Sequence, residues 1–140
     1  MTAAHVLFAA GGLLARFGHS PMSSDGGSEL TGYTVPGAIR QASVDLAAAA
    51  GKSHPRLAAW LHGDVALDYV LTALGYEPDM YGPAGGRLLV DQEARRIWRL
   101  GLGLGWAVGL VDQAAALALA DVAPSAEHEP TQVLAALLPA

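Results

Sequence analysis

At 140 residues the chain has room for one hydrophobic core and not for two substantial domains. Hydrophobic residues make up 52% and charged residues 15%, with a net charge of -5, which argues against broad binding along a phosphate backbone, since that needs many Lys and Arg side chains. With no cysteine there can be no disulfide framework, thiol nucleophile or cysteine-zinc site.

The charged fraction is below the soluble average of roughly 25%, so a partner is expected to cover part of the apolar surplus. No uncharged apolar run approaches the roughly 20 residues that span a bilayer. The run from Val6 to Ala15 has only His5 before it, where a signal sequence would carry Lys or Arg. A cytoplasmic protein without a membrane segment is the expectation.

In chain order, Val6, Leu7, Ala10, Leu13, Leu14 and Phe17 recur at helical spacing and predict a first helix over residues 3 to 17, stopped by Gly18. From His19 to Tyr33 the chain is polar and rich in glycine and serine, which predicts its longest loop. Thr34 or Val35 begins a second helix, with Pro36 in the first turn and Gly51 at its end. A short third helix is predicted from Ser53 to Gly63. A fourth runs from an Asp64 N-cap to a Gly75 C-cap and completes an N-terminal bundle over residues 3 to 75.

Residues 76 to 90 read as a turn-rich connector in which Arg87 to Val90 forms a short strand. A long glycine-spaced helix is predicted over residues 91 to 122, then a break at Ala123-Pro124. A last short helix is predicted over residues 130 to 138, from Thr131 to Leu138. The expected fold is therefore an all-α, compact single-domain bundle of five to six helices.

The run from Leu100 to Val111 holds four glycines. A dinucleotide-binding turn with Asp121 as the ribose acid is excluded, because G-x-G-x-x-G would need glycine where Trp106 or Val108 stands. Gly101, Gly105 and Gly109 instead recur every four residues, which places them on one helix face open to close approach by another backbone. That neighbour is either Gly11-Gly12 of the same chain or a second copy.

His54, His62, Asp64 and Asp68 form the best candidate metal or acid-base group, without a metal-binding motif among them. No metal or cofactor is expected. His19, Ser20, Ser23, Ser24 and Asp25 supply nucleophile and base types in the long loop but lack the strand-turn-helix setting of a hydrolase serine. Arg95, Arg96 and Arg99 form a patch for an anionic partner, or else pair with nearby acids.

The opening helix, the glycine-serine-aspartate loop and the run Gly32-Tyr33-Thr34-Val35-Pro36-Gly37-Ala38-Ile39-Arg40-Gln41-Ala42 resemble a family of small actinobacterial and phage proteins. In that family a loop leads into a helix beginning near Cys-x-x-Gly-Ala-Leu or Ile. Gly37-Ala38-Ile39 match, Thr34 takes the cysteine position, and the family's later Trp-Asn-Asp segment is absent. The resemblance covers at most the first half and implies no catalytic residue.

Three functional expectations follow. The first is a non-enzymatic helical module for self-association or a protein partner. The second is a small enzyme or ligand-binding protein with a pocket under the 18 to 33 loop, using His19, His54, His62 or Asp68. The third is weak nucleic-acid binding through the arginine patch.

Overall fold

The computed structural model describes residues 2–51 and 53–122; the helix expected from Thr131 to Leu138 lies outside them. Among the described residues the chain is all-α apart from one small hairpin, with five α-helices in one bundle. Helix α1 spans Ala3–Phe17, with the Thr2 hydroxyl accepting from the backbone N–H of His5 as its N-cap. Its apolar face, Val6, Leu7, Ala10 and Leu14, is fully buried, as the spacing predicts.

The loop after α1 folds back as a hairpin of β1 (Gly27–Ser28) and β2 (Gly32–Tyr33), antiparallel and in register Gly27 to Tyr33. It is stitched to the end of α1, since Tyr33 N–H donates to the Gly18 carbonyl and Ser20 N–H to the Tyr33 carbonyl. Helix α2 then runs Val35–Ala49.

Helix α3 runs unbroken over Pro55–Ala73, where the sequence predicts two helices meeting at Gly63. Gly63 does not stop it. A β-carbon there would lie 3.5 Å from Ser43 Oγ and 3.9 Å from Ile39, ordinary contact distances, so the helix passes through this position packed against α2. Asp64, expected as a cap, instead pairs with Arg87 across to the next helix. The end of α3 is as expected: Gly75 adopts φ +91° and its N–H donates to Thr72, while Tyr76 N–H donates to Leu71.

The connector is shorter than predicted. A 3-10 turn at Pro78–Met80 leads straight into α4, Gly82–Arg99, so the segment Arg87 to Val90 is helical and not a strand. Val90 and Ala94 are buried four residues apart while Leu88 is exposed, a helical period that three apolar residues in a row conceal.

The long helix predicted from residue 91 to 122 is broken in two. Helix α4 ends at Arg99 and α5 spans Leu104–Val122. Gly101 takes φ +82° and its N–H donates to Trp98, while Leu102 N–H donates to Ile97, a complete Schellman stop. The glycine that seemed to be spaced along one helix is thus the signal that ends it.

The core lies between α1, α2, α3 and α5, with α4 laid over the side formed by α2 and α3. Helices α1 and α5 run antiparallel, with Gly11 against Val111 and His19 against Trp106. By length and composition, Leu104–Asp121 of α5 would suffice to cross a membrane; a third of that stretch is buried in this fold. Tyr69 of α3 donates to Asp121 Oδ2 at 2.6 Å, which ties α5 to α3 and, with burial, pushes the phenol up to about 12.

Candidate functional site

The hairpin loop is held on the start of α2 by one tight backbone crossing. Thr34 caps α2, its hydroxyl accepting from Gly37 N–H at 2.9 Å, while Thr34 N–H donates to the Gly26 carbonyl at 3.0 Å. That carbonyl presses on the Gly37 backbone so closely that a β-carbon at position 37 would lie 1.9 Å from its oxygen. Only glycine admits this approach. Arg40, one turn further along α2, donates from Nη2 to the Asp25 carbonyl at 2.8 Å and secures the loop from the other side.

Below this crossing lies a cleft of about 460 Å³, enclosed by the loop, the first turns of α2, the middle of α3 and the start of α4. The volume falls within the usual range for small-molecule sites, about 300 to 1,000 Å³. Ile39 and Leu67 give it apolar wall, and Trp60, 61% exposed, gives it an aromatic one.

Five charged side chains reach the cleft: Asp25, Arg40, Asp64, Arg87 and Asp91. Asp25 accepts from Ser23 Oγ at 2.6 Å and from Gly27 N–H at 3.0 Å, and these bonds, with a smaller pull from Arg40, hold its carboxyl below the usual range. Arg87 Nη1 meets Asp64 Oδ1 at 3.2 Å. Asp91 differs, because its Oδ1 is shut away from water with no hydrogen-bond partner. Burial pushes this carboxyl up to about 6, against the opposing charge of Arg95.

The histidines singled out in the sequence lie elsewhere. His19 stacks on Trp106 at 6.2 Å, beneath the turn between α4 and α5, and both of its ring nitrogens are buried without a well-formed hydrogen bond. Burial pushes its imidazole down, partly offset by the Gly103 backbone. His54 is exposed just before α3, beside Arg56 and Leu57. His62 is half-buried and Asp68 exposed on α3, and neither lines the cleft. No group of three or more His, Asp or Glu among the described residues is arranged to hold a metal ion.

The arginine patch is largely spent on the fold. Arg95 donates from Nε to the Pro21 carbonyl at 3.1 Å, tying α4 to the long loop, and Arg96 pairs with Glu93 one turn away. Arg99 is exposed at the end of α4.

Among the described residues, Gly101, Gly105 and Gly109 meet neither Gly11 nor any other neighbour. Gly101 lies in the turn, and a β-carbon at any of the three would find nothing within 4 Å. Gly11 packs on Val111 and Asp112 instead. Among the described residues the contact within the chain that the spacing suggests is therefore absent, and Gly105 and Gly109 are exposed on α5. Beside them the turn exposes Leu100 (65%), Leu102 (56%) and Leu104 (40%), with Trp98 half-exposed on the last turn of α4.

No family model matches the chain, and neither do any of the curated proteins or solved structures compared with it.

Proposed function

We propose that the protein is a non-catalytic helical module that self-associates through the outward face of α5 and the adjoining turn from Trp98 to Leu104. The observation that carries this is the conjunction of two costs that nothing among the described residues offsets. Each helical glycine costs up to about 1 kcal/mol relative to alanine, yet a β-carbon at Gly105 or Gly109 would meet nothing among the described residues. Alongside them, Leu100, Leu102, Leu104 and Trp98 leave apolar surface in water.

A second copy of the chain repays both. The outward residues of α5 include Gly105, Gly109, Ala116 and Ala120, small enough for another helix to approach closely, and the leucines of the turn would be covered in the same contact.

Sedimentation over a concentration series tests the proposal. The native chain should gain mass with concentration, and Leu102→Glu should remain monomeric. Gly105→Leu should also weaken association without lowering Tm, because the added side chain meets open space in the single chain. A strict monomer at about 100 μM, or association unchanged by both substitutions, would overturn it.

A further inference from the structure

The cleft under the long loop is separate from the α5 face, and its charges are unevenly matched. Arg87 is held by Asp64, and Arg40 lies over Asp25 with its guanidinium on that residue's carbonyl. Asp91 is the remaining acid that lines the cleft, and its carboxylate accepts no hydrogen bond among the described residues. Arg95, one turn further along α4, is engaged with the Pro21 carbonyl. A carboxylate without a hydrogen-bond partner at the wall of a cleft is matched by a donor that carries positive charge, which supplies a hydrogen bond and compensates the charge together.

From this arrangement we infer that the cleft binds a compact organic cation, a protonated amine joined to an aromatic or apolar body, with the ammonium on Asp91 and the body between Trp60, Ile39 and Leu67. The Trp60 ring suits the body by stacking and a nearby positive charge by its negative face. The volume fits one such molecule. Anion binding is the competing outcome, since Arg40 and Arg87 also reach the cleft. It is disfavoured because each guanidinium already has an acceptor in the chain.

Amide-resolved NMR titration with three probes of one shape but different charge tests the inference: phenethylamine, 2-phenylethanol and phenylacetate. At about pH 7.5 the amine is protonated and the Asp91 carboxyl ionised. The amine should shift the Gly63 and Asp91 amides and the Trp60 indole N–H, and should bind about tenfold or more tightly than the alcohol, with phenylacetate weakest.

Asp91→Asn should remove that advantage while leaving the alcohol's affinity unchanged, with circular dichroism confirming the fold. Trp60→Leu, a change at an exposed position, should weaken the amine and the alcohol alike. Equal affinity for all three probes, tighter binding of phenylacetate, or an amine advantage that survives Asp91→Asn would each overturn the inference. So would the absence of any shift at these positions with the amine at about 10 mM, well above the affinity expected of such fragments.

Discussion

Two glycine-rich regions, Gly26 to Gly37 and Gly101 to Gly109, look alike in the sequence and do opposite things in the fold. In the first, glycines are where backbone meets backbone. A β-carbon on Gly27 would lie 2.0 Å from the Gly32 carbonyl oxygen, and one on Gly37 only 1.9 Å from that of Gly26. In the second, Gly101 is required by its positive φ, and a β-carbon on Gly103, Gly105 or Gly109 would meet nothing among the described residues. Glycine density alone therefore does not locate close packing; it marks either a crossing already made within the chain or a surface still open.

The largest expected effect comes from closing the first region's crossing. Gly37→Ala forces the Gly26 carbonyl off the start of α2, with the Thr34 cap and the loop over the cleft attached to it. A loss of about 3 kcal/mol is expected, near 10 °C in Tm, together with weaker amine binding in the cleft. A melting curve like that of the native chain would show that the crossing is less tight than its geometry implies.

The starts and stops of the first helices are legible in the sequence because their signals are local, whereas the hairpin and the crossing of Gly26 on Gly37 are not. Thr34 before Pro36 announces a capped helix, and Gly18, Gly51 and Gly75 mark stops that neighbouring hydrogen bonds enforce. Gly63 and Gly101 were misread for a common reason. A glycine within an apolar helical pattern can continue the helix against a neighbour or end it, and only the packing of α2 on α3, or its absence beside α4, decides which.

The site was less legible than the fold. The sequence pointed to the 18 to 33 loop as a cover, and a cleft does lie beneath it. Its charged residues, however, come from positions 25, 40, 64, 87 and 91, on four separate segments, and no spacing along the chain brings them together. Asp91 in particular stands at the start of the long helix that the sequence predicts, yet it sits mid-way along α4.

The second region is sharpened by a matched pair of alanine substitutions. Gly101→Ala puts a side chain into the left-handed conformation at φ +82°, which should cost about 1 to 2 kcal/mol and fray the end of α4. Gly109→Ala, inside α5 and facing open space, should raise stability by up to about 1 kcal/mol. Opposite signs in thermal unfolding at low concentration would separate the glycine that shapes the turn from the one left open. If Gly109→Ala also weakens self-association while raising Tm, the outward face of α5 keeps its glycine for a partner and not for the fold.

The smallest expected effect is on the pH dependence of stability, where the two regions again carry opposite signs. Beside the cleft, the Asp91 carboxyl is raised from 3.8 to about 6. The folded state holds that proton more tightly than the unfolded one, so stability falls as pH rises from about 4 to 6 and stays lower above. Beneath the second turn, the His19 imidazole is lowered from 6.5, so its penalty appears on acidification below that value. Both residues are only half-buried as a whole, which keeps the effects modest. Asp91→Asn should therefore extend the stable range upward in pH and His19→Gln should extend it downward. Denaturant titrations between about pH 4 and 8 would show the two shifts as opposite tilts of one curve, and a common direction would mean that one of the buried groups has a partner which its surroundings do not reveal.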